Sequence, residues 1–197
     1  MKSLFLVSGG LDSTSGMFRY KDIDYDCMII NYGQRSYRQQ RKYAEINCNK
    51  LEKKLIVLDA RGIGEAFNRD KTLIPHEPIL HRNAAIIPIV LVYASESGYS
   101  DVYVFIVSEE CKYEPNKPKV LSLLSSLAET LNVKLVFPFI GLPKAQVLKI
   151  GMNHGMNPAN TYSCILGHRC HCGKCSQCEA RKQAFINAGV KDETVYM

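Results

Sequence analysis

Ser8-Gly9-Gly10-Leu11-Asp12-Ser13-Thr14 follows directly on the apolar run Leu4-Phe5-Leu6-Val7. That order reads as a buried strand, a glycine turn and a helix start. Two adjacent glycines let the backbone bend tightly and leave no side chain in a ligand's way. The main-chain N–H groups of the turn, backed by a helix N-terminus, form a concave anion site. The hydroxyls of Ser8, Ser13 and Thr14 add donors beside the amides of Gly9, Gly10 and Leu11. Asp12 reads either as a carboxylate that orients the loop or a Mg²⁺ ion, or as a helix cap. The spacing is neither Gly-x-x-x-x-Gly-Lys-Ser/Thr nor Gly-x-Gly-x-x-Gly, so two common phosphate loops are excluded. The chemistry expected is the handling of a nucleotide.

A second group of reactive residues lies near the end of the chain. Of eight cysteines, five fall between positions 164 and 178. Cys172-Gly-Lys-Cys175-Ser-Gln-Cys178 overlaps two Cys-x-x-Cys units, and Cys164 lies upstream. Close thiolates in a reducing compartment are explained by metal more readily than by disulfides. Four sulfurs suit tetrahedral Zn²⁺ in a structural site closed to water. We assign Cys164, Cys172, Cys175 and Cys178, with an iron–sulfur cluster or a redox pair as alternatives. Cys170 is expected to be free. Cys27 and Cys48 fall on apolar faces and read as core residues.

The elements that must position these groups alternate between strand and helix patterns. Strands are expected at 4–7, 27–31, 55–58, 101–107 and 133–137, and helices at 13–20, 37–53, 83–97, 120–131, from Pro143 to about 151, and 176–187. Residues 60–81, with Pro75 and Pro78, read as loop. Such alternation predicts a doubly wound, mainly parallel five-stranded sheet with helices on both faces. Ligands then bind beyond the carboxyl ends of the strands, where residues 8–14, 31–35, 107–113 and 141–144 would converge. Residues 1–157 are expected to form a nucleotide-binding α/β domain. Residues 158–197 would form a zinc-stabilised helical subdomain packed on it.

Composition narrows the function classes. A chain of 197 residues with 46% apolar content can build one compact core. The longest apolar stretch, 84–94, is too short for a bilayer and carries Pro88. The chain enters a strand at once with no secretory signal visible, so a cytoplasmic location is expected. A formal net charge of +6 favours anionic ligands, with nucleic acid an open alternative.

Ser-Gly-Gly-x-Asp-Ser-Thr after an N-terminal strand resembles the pyrophosphate loop of the N-type ATP pyrophosphatases. Further motifs follow in order: Asn31-Tyr32-Gly33-Gln34-Arg35, Arg82-Asn83 before an apolar helix, Pro143-Lys144-Ala145, Thr161-Tyr162-Ser163-Cys164, and the clustered cysteines followed by Arg181 and Ala184-Phe185. Together they resemble the 7-cyano-7-deazaguanine synthase (QueC) family over almost the whole chain. That resemblance implies an adenine nucleotide alpha hydrolase-like fold and ATP, Mg²⁺ and structural Zn²⁺ as cofactors. It implies a small deazapurine substrate and ammonia as partners, a homodimer, and no membrane partner. The implied reaction adenylates the carboxylate of 7-carboxy-7-deazaguanine, forms an amide with ammonia, and uses a second ATP to reach the nitrile. Lys144 would stabilise charge on the phosphates, and Arg35 and Arg82 would bind an anionic group. The chain departs from the family pattern at Ser36, at Leu80-His81 and above all at 107–116, the segment on the substrate side. The adenylation machinery is thus expected to be kept while the acceptor pocket is altered. Three alternatives stay open: a relative adenylating another carboxylate or amide, one acting on a tRNA base or serving phage defence, and a non-catalytic zinc-stabilised binding module.

Overall fold

In the computed structural model, which describes residues 2–69 and 76–197, five strands form one parallel sheet in the order β3-β2-β1-β4-β5. These are β1 (Ser3–Leu6), β2 (Tyr25–Asn31), β3 (Leu55–Asp59), β4 (Asp101–Val104) and β5 (Lys134–Val136). The central β1 pairs with β2 on one side and β4 on the other, Leu4 lying opposite both Asp26 and Val102. The chain winds outward from β1 to β3, crosses back, and continues through β4 and β5. The strand order therefore reverses beside β1, and that reversal opens a crevice at the carboxyl ends.

Side-chain alternation along the strands splits the core in two. Phe5, Val7, Cys27, Ile29, Phe105 and Val107 face helices α1 (Leu11–Arg19), α2 (Tyr37–Lys50), α6 (Lys144–Asn153) and α7 (Ser176–Ala188). Leu4, Met28, Ile30, Val102, Val104 and Ile106 face α4 (Arg82–Glu96) and α5 (Pro118–Thr130). Burial on both faces is why these strands read as continuous apolar runs. Each such side chain contributes about 1.5–3 kcal/mol by leaving water. Cys27 and Cys48 are core residues, both essentially inaccessible. Among the described residues no helix is long and apolar enough to cross a membrane.

Three elements differ from expectation. The segment read as loop contains a helix, α3 (Arg61–Asn68). Its glycines hid it, and Gly64 is required there because a Cβ would fall 2.0 Å from the Tyr32 carbonyl oxygen. The strand expected over 101–107 pairs only as far as Val104, the rest continuing unpaired into a turn of 3-10 helix, Ser108–Glu110. Helix α2 ends at Lys50, short of the expected 53. Pro75 of the expected loop lies outside the described residues.

The C-terminal segment is tied to the main sheet by polar and apolar contacts. Phe185 and Ala188 of α7 join the core under the sheet. Asn47 of α2 donates to the Asn160 carbonyl at 2.7 Å. Arg181, only 1% exposed, spends its guanidinium on Thr161 Oγ1 (2.8 Å), Ser163 Oγ (3.2 Å), Thr194 Oγ1 (2.8 Å) and the Pro158 carbonyl (2.8 Å). One side chain thus fastens the segment entering the cysteine cluster, the helix leaving it and the C-terminal tail. Arg181→Ala should lower unfolding stability by about 3 kcal/mol or more, read by urea titration. Arg181→Lys should recover little of it, because an ammonium cannot span a planar fork of four acceptors.

Candidate active site

A cleft of about 640 Å³ opens where the strand order reverses. Its floor is the turn after β1. Gly9 there has φ +66°, and a Cβ on it would lie 2.4 Å from the Gln40 carbonyl oxygen of α2. Only glycine permits both the left-handed backbone and that approach. The Gly9 carbonyl accepts from Tyr162 N–H at 2.8 Å, so the C-terminal segment braces the turn. Gly10 caps α1 in extended conformation, and no side chain accepts from the first-turn amides. Those N–H groups are left for an anion. Ser13 Oγ accepts from Ser8 N–H at 3.2 Å and lies 3.3 Å from Ser8 Oγ. Of the loop residues singled out from sequence, Ser8, Gly10, Leu11, Asp12 and Ser13 line the cleft. Gly9 is buried against α2. Thr14 is fully buried, with its hydroxyl unpartnered and turned away from the lining.

Lys144, the first residue of α6, is 9% exposed and reaches across to pair with the Asp12 carboxylate. Asp12 is thereby an ion-pair partner and not the helix cap, a position Gly10 holds. Burial works to strip the Lys144 proton, but Asp12 and then Glu110 outweigh it and hold the ammonium charged. The cation stands at a helix N-terminus, where the helix dipole opposes it. The Glu109 carboxylate offsets this by accepting from Lys144 N–H at 3.0 Å through each oxygen. Asp12 Oδ1 remains buried without a partner. That free oxygen fits a Mg²⁺ ion carried in with a triphosphate.

The opposite wall carries a second polar group. Tyr32 O–H donates to Glu77 Oε2 at 2.6 Å, and Arg82 Nη1 donates to the same oxygen at 3.1 Å and to Tyr32 Oη at 3.2 Å. Burial pushes the Tyr32 phenol well above its ordinary range. The Arg82 side chain keeps 42% exposure, enough to meet a ligand. Arg35 does not join it. From Tyr32 to Ser36 the chain alternates, with Tyr32, Gln34 and Ser36 buried and Gly33 and Arg35 exposed. Gln34 turns in, accepting from Tyr32 N–H at 2.9 Å and donating to the Ile30 carbonyl at 2.9 Å, while Arg35 lies outside the cleft lining. Sequence reasoning brought 31–35 and 107–113 to the cleft but singled out neither Gln34, which the alternation could have found, nor Glu110, one of two adjacent acids just past a strand end. It missed Glu77, for which no local signal exists.

The four assigned cysteines gather as expected. The sulfurs of Cys164, Cys172, Cys175 and Cys178 all lie within 4.8 Å of one another. Cys172 and Cys178 are 3.9 Å apart, and Cys164 and Cys175 are 4.0 Å apart. Tetrahedral Zn²⁺ with ordinary Zn–S bonds needs about 3.8 Å between sulfurs. Backbone N–H groups of Lys174 and Cys175 point at Cys172 Sγ, at 3.5 and 3.3 Å, and pull its thiol down to about 6. The donor set thus fits a closed four-thiolate metal site such as zinc. Cys170 stays outside it. No cysteine lines the cleft; the segment instead presents Tyr162, Ser163, Ile165, Ser176 and Gln177. The cluster acts on the cleft only by holding that wall.

Comparison with known proteins bears on this arrangement. A family model described as queuosine biosynthesis protein QueC matches residues 2–189. The 7-cyano-7-deazaguanine synthase 1 of Sulfurisphaera tokodaii is 50% identical over all of this chain and 98% of its own length. The 7-cyano-7-deazaguanine synthase of Methanosphaera stadtmanae is 32% identical over 99% of this chain and 98% of its own. Among solved structures, the NMN synthetase of Francisella tularensis superposes with TM-score 0.59 at 13% identity, covering 97% of this chain and 78% of that one. The U34-tRNA thiolase NcsA of Methanococcus maripaludis gives 0.57 at 17% identity, covering 95% and 67%. At those identities the two structures speak for the fold alone. The family match over residues 2–189 and the relatives matched along almost their whole length show that the chain belongs to the QueC family.

Proposed function

We propose that this protein converts 7-carboxy-7-deazaguanine, ammonia and two ATP into 7-cyano-7-deazaguanine, two AMP and two pyrophosphates. The observation that carries the reading is the uncapped amide turn of Gly10–Ser13 with the buried Lys144–Asp12 pair at its mouth, in a chain of the QueC family. A carboxylate is a poor electrophile. Its oxygen attacks the α-phosphorus of ATP, pyrophosphate departs, and an acyl adenylate forms. Ammonia adds to the acyl carbon, AMP leaves with the oxygen, and one proton is lost to give the amide. The amide oxygen then attacks a second ATP in the same way. Loss of AMP and of both amide N–H protons leaves the C≡N bond. The protein's part is positioning and charge neutralisation.

In this reading the amides after Gly10 and the hydroxyls of Ser8 and Ser13 hold the phosphates. Lys144 balances negative charge gathering at the α-phosphate. Arg82 gives up part of its contact with Glu77 to the incoming anionic group. Mg²⁺, when bound, would neutralise phosphate charge, with Asp12 Oδ1 as its protein ligand. Zn²⁺ is structural and held by Cys164, Cys172, Cys175 and Cys178. Arg35 carries no role in the chemistry. The same reading takes the enzyme as a homodimer of the cytoplasm, where the thiolates stay reduced.

Incubation with 7-carboxy-7-deazaguanine, Mg-ATP and ammonium should yield first amide and then nitrile by mass spectrometry, with two AMP per nitrile. ATP turnover without either product would overturn the assignment. Lys144→Met should lower kcat for AMP formation about 10²–10³-fold while zinc content is unchanged. Cys175→Ser should release the metal, seen by elemental analysis, and lower unfolding stability by about 3 kcal/mol or more.

A further inference from the structure

The cleft is lined by four acids besides its phosphate-binding groups, and three of them are occupied. Asp12 is paired with Lys144, Glu77 is held by Tyr32 and Arg82, and Glu114 is paired with Lys117 at 2.5 Å. Glu110 is the exception: among the described residues no side-chain donor is hydrogen-bonded to its carboxylate, which meets only the Val107 amide and the nearby charges of Lys144 and Arg82. It sits in the 3-10 turn that follows β4, across the strand reversal from the Tyr32 wall.

We propose that Glu110 reads the N1–H and 2-amino edge of the acceptor base and makes the cleft selective for a guanine-type ring. This rests on the function proposed above, and it names the residue that would choose the base. A guanine-type edge presents two parallel N–H donors, and a carboxylate has two oxygens to accept them. A ring lacking the 2-amino group leaves one oxygen without a donor in a partly dry site, which is costly.

The backbone of Glu110 is held firmly enough to discriminate. Its N–H donates to the Val107 carbonyl at 3.0 Å, and its own carbonyl accepts from Tyr113 N–H at 3.1 Å and from Asn116 Nδ2 at 3.2 Å. Asn116 is held in turn by Asn83, at 2.7 Å, from the first turn of α4. On the other side, the neighbouring Glu109 is anchored on Lys144 N–H. Two elements therefore clamp the turn before any ligand arrives, which reduces the ordering cost of recognition. Tyr113, on the same loop, lines the cleft with its ring 46% exposed and offers a face for the base to stack on. Burial pushes the Glu110 carboxyl above its ordinary range, with the Lys144 charge opposing.

The test compares kcat/KM for 7-carboxy-7-deazaguanine and for its analogue without the 2-amino group, in the wild type, Glu110→Gln and Glu110→Asp. Affinity for a nonhydrolysable Mg-ATP analogue is measured in parallel by calorimetry. The wild type should prefer the amino-bearing base by about 10²-fold or more. Glu110→Gln should lose at least about tenfold of that preference, chiefly through KM, without weaker nucleotide binding, because the change removes a negative charge near the phosphates. Glu110→Asp, which keeps the carboxylate, should retain more of the preference than Glu110→Gln. A preference unchanged in Glu110→Gln overturns the proposal alone, as does a fall in Mg-ATP affinity, which would make Glu110 a metal ligand. Absence of nitrile from the wild type overturns the function reading and this proposal with it.

Discussion

A lysine buried at the N-terminus of a helix is a costly arrangement, and the phosphate-loop end of this cleft is organised around one. Lys144 gives up water and faces the positive end of the α6 dipole. Two carboxylates from different elements make it tolerable: Asp12 from α1 on the ammonium, and Glu109 from the turn after β4 on the backbone amide. The three elements that enclose the phosphate end of the cleft are therefore locked together by charge. A buried ion pair of this kind adds little net stability compared with apolar packing. What it supplies is a fixed cation beside an open row of amides; on the proposed function that cation stands ready before the triphosphate arrives and leaves little reorganisation for the moment of reaction.

The sheet makes that lock possible. Burial on both faces fixes β1 rigidly between β2 and β4, and the turn that follows it inherits the rigidity. The C-terminal segment completes the frame. Tyr162 donates to Gly9, Asn47 reaches Asn160, and Arg181 gathers Thr161, Ser163 and Thr194. A four-thiolate metal would hold the far end of this segment while Arg181 holds the near end. The cysteines contribute no lining to the cleft, yet the wall they carry includes Ser163 and Gln177. Arginine and glycine turn act in series on the same wall of the cleft, and a bound metal would join them.

How much of this was legible in the sequence depended on whether the signal was local. The parallel sheet, its five strands and the gathering of the four cysteines were readable because each rests on periodicity or short spacing within one segment. Helix α3 was hidden because Gly62 and Gly64 weaken its propensity, and the reason for Gly64 lies in a distant carbonyl, that of Tyr32. Arg35 looked like an anion ligand by residue type. The alternation that turns Gln34 in turns Arg35 out. Thr14 looked like a phosphate donor by proximity to the loop, but one further helical step carries its hydroxyl into the interior.

The two ends of the cleft also differ in the kind of physics that builds them. On the proposed function, phosphate recognition would rest largely on main-chain amides, so a turn of seven residues would contain most of it, and the turn's glycines announce it. Base recognition would instead draw on side chains brought together from separate elements. Glu110 comes from the turn after β4, its clamp from Asn116 and Asn83, and the opposing wall from Tyr32, Glu77 and Arg82. No window of sequence holds that set. The segment 107–116 is tied down along its length: the Glu109 carboxylate accepts from Lys144 N–H, Asn116 bonds back to Glu110, and Glu114 pairs with Lys117. On the proposed function this built wall is where the acceptor would be met, and the carboxylate it presents to the cleft without a side-chain hydrogen-bond donor is that of Glu110.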